Sequence, residues 1–231
     1  MKLNPMTQTK LTAKIDWQSI DYILLDMDGT LLDLHFDNYF WKNTVIEQYA
    51  KKHDLTLKEC EQQLNVRFQA HEGHLNWYCL DFWRDELSLN IIELKQSINH
   101  KIAFLPGALQ FLEKLQTLPV KVIMTTNAHR DSIKIKDEQT NVTKWFDKII
   151  SAHDFGFSKE HPEFWHHLET TLCTNLNNCI FIDDSLPICQ KAKQMGVKQV
   201  FSILKPDSTQ PNKTKSTSFI QLNSLLELIN E

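Results

Sequence analysis

The stretch ILLDMDGTLLD, Ile23–Asp33, starts as an unbroken apolar run and ends in acids and a glycine. Consecutive apolar positions mark a strand buried on both faces, the pattern of a parallel sheet covered by helices; a half-exposed strand would alternate. Asp26 and Asp28 stand where this strand leaves the core. Four more short apolar runs follow YILLD (22–26): VKVIMTT (120–126), KIIS (148–151), CIFIDD (179–184) and VKQVFSI (197–203). Between them lie helical patterns. PGALQFLEKLQTL (106–118) has Pro106 at its start, PEFWHHLETTL (162–172) repeats the spacing, and LPICQKAKQMG (186–196) ends on Gly196, a C-cap residue. Alternating strands and helices predict an α/β fold with a doubly wound parallel sheet.

Residues from 34 to 104 break that alternation. They carry no strand signal and read as four helices, about 36–52, 56–70, 75–88 and 90–102, with Trp41, Trp77 and Trp83 among them. The expected organisation is an α/β core of residues 1–33 and 105–231 with a helical cap, 34–104, inserted after the first strand. KPDSTQPNKTKSTS (205–218) reads as a polar loop before a last short helix.

Composition narrows the class. The 231 residues are 42% hydrophobic and 23% charged, with 25 basic and 29 acidic side chains for a net charge of −4. Such a chain can bury a large core without cross-links and lacks the basic footprint of a nucleic-acid binder. No apolar run approaches the ~18 residues of a membrane span. Residues 1–17 have no apolar signal segment, and the five cysteines (60, 79, 173, 179, 189) show no CxxC spacing. A cytoplasmic protein with reduced thiols and no structural zinc site is expected, with neither nucleic acid nor membrane as partner.

Ligands of doubly wound sheets bind at the carboxyl ends of the strands. Those ends carry Asp26, Asp28, Gly29 and Thr30; then Thr125, Thr126 and Asn127; then Lys159, shortly before a helix; then Asp183, Asp184 and Ser185. Several carboxylates on one edge repel one another unless a cation joins them, and hard oxygen donors suit Mg²⁺. An aspartate can accept a phosphoryl group covalently, a second can move protons, and a lysine can neutralise charge on the transferring group. Asp26 is thus the candidate nucleophile, Asp28 the candidate acid/base, and Lys159 and Thr126 candidate phosphate contacts, with Gly29 allowing close backbone approach. Asp37 and Asn38, just beyond the first strand, are candidate substrate contacts, as is Asn127.

DMDGT, TTNAH, the single Lys159 and FIDDS, in that order, resemble the four motifs of the haloacid dehalogenase superfamily. The resemblance implies Asp26 as nucleophile, Asp28 as general acid/base, and Thr126 and Lys159 on the phosphate. It implies Mg²⁺ held by Asp26, the Asp28 carbonyl and Asp184, with Asp183 acting directly or through water. Dehalogenase members lack an acid at the position of Asp28 and ion-pumping members carry Thr there, so the resemblance favours phosphomonoester hydrolysis or phosphomutase chemistry. LLDMDGTLLDLHFDNYFW, LNWYCLDFW, TNAH, FGFSKE and CIFIDDS further resemble the bacterial GMP/IMP nucleotidases of this superfamily, over about residues 15–210. That implies a 5′-nucleotidase acting on a small phosphomonoester, a purine nucleoside monophosphate such as GMP or IMP. The alternatives are a sugar-phosphate phosphatase, a phosphomutase, and a non-catalytic binding protein of the same fold.

Each residue also has a plainer reading. Thr125 and Thr126 are β-branched strand formers, Lys159 beside Glu160 could be a solvated pair, and Asp183–Asp184 could cap a helix. In the insertion, Trp77 or Tyr78 could stack on a base, with His74 and Asn76 at its edge, although aromatics at helical spacing are more often core. His71 and His74 lack a third metal ligand. Arg130 adds a cation of no evident role.

Overall fold

Strand β1 (Tyr22–Leu25) is the centre of the molecule, a computed structural model that describes residues 15–214 and 219–229. It pairs in parallel with β2 (Lys121–Thr126) on one side and β4 (Cys179–Asp183) on the other. Beyond these lie β3 (Lys148–Ser151), β5 (Gln199–Ile203) and β6 (Ile220–Leu222), all parallel, in the order β3-β2-β1-β4-β5-β6. The connections reverse direction between β1 and β4, so a crevice opens there at the strands' carboxyl ends. Each of the five apolar runs forms a strand. The sixth strand falls where a short helix was expected; a strand there shields β5, and a single turn of 3-10 helix (Leu225–Leu228) follows it. Residues 1–14, where a signal segment was sought, and 215–218 of the polar loop lie outside the described residues.

Both faces of the sheet are covered, as the continuous apolar runs require. Ile23 and Leu25 face one way, packing with Phe111 and Leu112 of α7 (Ala108–Leu115). Leu24 faces the other way, towards Phe164, Trp165 and Leu168 of α10 (Pro162–Leu172). On the β2 side, α8 (Arg130–Thr140) brings Ile133 and Ile135 against Met27 and Met124. After β4, α11 (Leu186–Gln194) leads to Gly196, whose φ of +92° matches the expected helix end.

The regular elements between β1 and α7 are all helices. The chain runs through α1 (His35–Tyr39), a π-helical stretch (Phe40–Thr44), α2 (Val45–His53), α3 (Leu57–His71), α4 (Leu75–Tyr78), α5 (Leu80–Leu87) and α6 (Ile91–Ser97). The third expected helix is two, because Cys79 is extended (φ −87°, ψ 113°) and caps α5 by accepting the Phe82 N–H on its sulfur. These helices share a cluster of their own, with Phe40, Tyr49, Leu64, Leu80, Trp83 and Ile91 buried. Trp41, Phe68, Trp77 and Trp83 meet edge to face, an arrangement favoured by the ring quadrupoles. His71 packs its ring on Phe82 and Trp83 within this group.

Candidate active site

Strand register assembles the site. Leu25 pairs with Met124 and Ile182, so the next residue on each strand falls in one row: Asp26 lies between Thr125 and Asp183. The Asp26 N–H still bonds to the Ile182 carbonyl (3.0 Å), which fixes the first acid at the sheet edge. The chain then turns sharply, with the Leu31 and Leu32 N–H groups both donating to the Met27 carbonyl. Gly29 adopts φ +79° in this turn. A Cβ there would lie 2.8 Å from Cγ of Asp184 and 2.9 Å from Cβ of Pro206. Gly29→Ala is therefore expected to strain the turn and push the Asp184 carboxylate aside. Misplacement of this order costs ~10²-fold in catalysis, and kcat/KM at saturating Mg²⁺ measures it.

Lys159 sits at the centre of the carboxylates, wholly buried. Its Nζ donates to Asp26 Oδ1 (2.6 Å), Asp183 Oδ2 (2.7 Å) and the Thr125 carbonyl (3.0 Å). Burial opposes its charge, but Asp183 and Asp26 prevail and hold it above the usual lysine range. The loop is fixed from several sides. Asn127 Oδ1 accepts the Lys159 N–H (2.8 Å), Trp165 Nε1 donates to the Lys159 carbonyl (2.8 Å), and Glu160 accepts from Asn127 Nδ2 (3.0 Å) and the Tyr78 hydroxyl (2.7 Å). Lys159 and Glu160 are thus no solvated pair.

Carboxylate oxygens of Asp26, Asp183 and Asp184 lie within 4.8 Å of one another. Burial, offset in part by Lys159 and reinforced by Asp183, Asp184 and Asp28, drives Asp26 well above the ordinary carboxylate range. Burial also lifts Asp184, against the pull of Lys213 (2.7 Å), to about 6. Crowded, desolvated carboxylates of this kind form a hard-oxygen donor set that could hold a divalent cation such as Mg²⁺. Asp183 Oδ1 accepts the Ser185 N–H (2.7 Å), holding the second acid pair at the start of α11.

Asp28 points away from this group. Its Oδ1 accepts from Lys136 (2.5 Å), a buried lysine of α8 that also donates to Asp37 Oδ2 (2.6 Å). Asp37 Oδ1 in turn accepts from buried Lys95 of α6 (2.6 Å). Burial pushes Asp28 up, outweighing Lys136 and reinforced by Asp37. For Asp37 burial also raises, but Lys136 and Lys95 together win and hold it well below the carboxylate range. Removing one partner of a buried ionic network typically costs ~3–5 kcal/mol, so Asp37→Asn should destabilise the fold strongly. Because Asp37 is depressed on folding, its contribution is complete above the ordinary carboxylate pKa of 3.8 and lost as pH falls through the folded value. The stability gap between wild type and Asp37→Asn, measured by urea unfolding, should therefore hold from neutrality to about pH 4 and shrink below it.

The other expected residues are placed as follows. Thr126 Oγ1 accepts the Ala128 N–H (3.0 Å), leaving its own proton free to donate. Asn127 lines the cleft with its amide engaged by the Lys159–Glu160 loop. Asn38 also lines it and donates to Asp207 (2.7 Å). Arg130 bonds the Asp154 carboxylate through Nε (2.9 Å), away from the acids. His74 and Asn76 are exposed outside the cleft, whereas Asn65 and Gln69 of α3 line it. Sequence reasoning missed Lys95 and Lys136. A signal existed: Lys95 falls four residues after buried Ile91, and Lys136 follows buried Ile133 and Ile135, so each occupies the inward stripe of its helix.

A cleft of about 590 Å³ joins the parts. Its floor is Asp26, Asp28, Thr126, Lys159, Asp183 and Asp184; its far wall includes Trp41, Phe68, Trp77 and Tyr78 from the helical segment. A buried aspartate, a second aspartate on a separate ionic network and a fixed lysine at the switch point of a doubly wound sheet are the groups that phosphoryl transfer through a carboxylate would need.

The comparisons with known proteins agree with that class. The family model described as haloacid dehalogenase-like hydrolase matches residues 20–196. The chain is 36% identical over 194 residues to the GMP/IMP nucleotidase YrfG of Escherichia coli, covering 84% of this chain and 87% of that protein. It is 25% identical over 137 residues to the 6-phosphogluconate phosphatase of the same organism, covering 59% of this chain and 61% of that one. Among solved structures, a HAD phosphatase from Thermococcus onnurineus superposes with a TM-score of 0.76 at 20% identity, over 90% of this chain and 96% of that one. The chain belongs to the haloacid dehalogenase-like hydrolase family and is one of its phosphatases.

Proposed function

We propose that this protein is a Mg²⁺-dependent 5′-nucleotidase that hydrolyses purine nucleoside monophosphates, GMP and IMP foremost, through a phosphoryl group carried on Asp26. The observation that carries the reading is the shape of the cleft: acids and Lys159 on the floor, aromatic rings and the amides of Asn65 and Gln69 opposite. A phosphate fits the first and a flat, hydrogen-bonding base fits the second. The 36% identity to a GMP/IMP nucleotidase supports the substrate class.

In the first step a carboxylate oxygen of Asp26 attacks phosphorus and the bond to the ester oxygen breaks. Asp28, which burial keeps protonated to higher pH than an ordinary carboxyl, gives its proton to the departing nucleoside oxygen. In the second step Asp28 takes a proton from water, the water oxygen attacks phosphorus, and Asp26 leaves as carboxylate. Lys159 and the Thr126 hydroxyl meet the charge on the phosphoryl oxygens throughout. Asp26, Asp183 and Asp184, with the Asp28 carbonyl, would hold Mg²⁺, which when bound supplies further positive charge to the same oxygens. Residues 34–104 serve as a cap that excludes bulk water and selects the leaving group. A cytoplasmic setting goes with the five free cysteines.

Phosphate release with Mg²⁺ across GMP, IMP, AMP, pyrimidine monophosphates and sugar phosphates tests the substrate. The expected ranking puts GMP and IMP first. Preference for a sugar acid phosphate would shift the reading to the second relative's class and keep the chemistry; silence on all substrates would favour a mutase or a binding protein.

A further inference from the structure

We propose that Cys79, His129 and His153 form a second metal site, for a borderline-soft divalent ion such as Zn²⁺, that braces the helical segment against the sheet. The three come from separate elements. Cys79 stands at the break between α4 and α5. His129 precedes α8 at the end of β2. His153 lies in the single turn of α9 (Ala152–Phe155), directly after β3. One donor atom from each falls within 4.8 Å of the other two, and the imidazole centroids are 5.0 Å apart. A tetrahedral zinc, with bonds of ~2.3 Å to sulfur and ~2.0 Å to nitrogen, sets its donors ~3.3–3.6 Å apart. The donors would therefore have to draw together by at most about 1.5 Å to hold the ion.

Two further features point to a ligand. Nε2 of His153 is buried and has no hydrogen-bond partner among the described residues, which is costly for a ring nitrogen, while backbone groups of Asn127 and Tyr78 lie close enough to the ring to favour its protonated form. His129 has a carboxylate beside each nitrogen: Asp131 Oδ2 lies 3.5 Å from Nδ1 and Asp81 Oδ2 3.6 Å from Nε2. His129 Nδ1 accepts the Asp131 N–H (3.3 Å) at the start of α8, a bond that metal binding through either nitrogen would give up, with the carboxylate beside the other nitrogen then orienting the ring. A thiolate and two imidazoles do not suit Mg²⁺, so the site is chemically distinct from the Asp26 group. It is also mechanically linked to it. Tyr78, next to Cys79, bonds Glu160, which neighbours Lys159. A metal here would fasten the helical segment over the catalytic lysine.

The test is Co²⁺ titration of the full-length, Mg²⁺-saturated protein, read by absorption. Expected are a near-ultraviolet thiolate-to-cobalt band and tetrahedral visible bands, both discharged by Zn²⁺. Cys79→Ser should abolish the thiolate band and weaken Zn²⁺ binding at least ~10²-fold, no less than loss of an outer partner costs. Serine caps α5 as well as cysteine does, so turnover with Mg²⁺ alone should be unchanged. Should that variant misfold by circular dichroism, His153→Gln serves instead, with loss of the tetrahedral bands expected. Absence of a thiolate band in wild type, or its survival in Cys79→Ser and loss in a variant of exposed Cys173, would overturn the proposal.

Discussion

Asp26→Asn is expected to lose at least ~10⁴-fold in kcat while keeping its fold, because an amide cannot accept the phosphoryl group and the nucleophile carries most of the chemistry in covalent catalysis. The substitution is nearly isosteric, and the side-chain oxygen can still accept from Lys159, now 2.6 Å away. It also removes one negative charge from a site where Asp183 and Asp184 help to drive Asp26 upward. Its unfolding temperature without Mg²⁺ should thus match or exceed that of wild type, and nucleotide binding should persist. Lost stability together with lost activity would mean that Asp26 acts mainly as scaffold.

Lys159→Met gives the second large effect, of different form. In the proposed mechanism the lysine neutralises charge on the transferring phosphoryl group, and losing one such contact costs ~10²–10³-fold in kcat. The same Nζ sits between Asp26 and Asp183 at 2.6 and 2.7 Å. Without it, buried carboxylates face one another uncompensated, which is severely destabilising. Mg²⁺ should relieve that repulsion, so the variant should bind the ion more tightly than wild type and gain more thermal stability from it. Calorimetry with and without Mg²⁺ reads both. An inactive variant with unchanged Mg²⁺ affinity would show that the cation site does not include Asp26 and Asp183.

The sheet and the row of acids at its edge were legible because they rest on local signals. Unbroken apolar runs report burial on both faces, and acids placed directly after them fall at one edge whatever the strand order. The break at Cys79 was not legible, since Leu75–Leu87 keeps helical spacing across it; the break shows only in the backbone of one residue. Strand β6 was hidden by its length of three residues, too short for periodicity to tell from a helix start. Lys95 and Lys136 were hidden because charge normally marks the solvent face. Here it marks two elements, α6 and α8, that meet over Asp37, a convergence of residues up to 99 positions apart in sequence. Asn65 and Gln69 were missed for the related reason that α3 is polar along much of its length, and nothing local shows which side faces the cleft.

The measurement that bears most directly on the phosphoryl-acceptor role of Asp26 is acid-quenched single turnover with phosphorus-labelled GMP and Mg²⁺, followed by peptide mapping. A transient label on the peptide that contains Asp26, released by hydroxylamine and absent in Asp26→Asn, is the predicted result. Free phosphate formed with no labelled protein at any quench time, or with the label on Asp28, would contradict it.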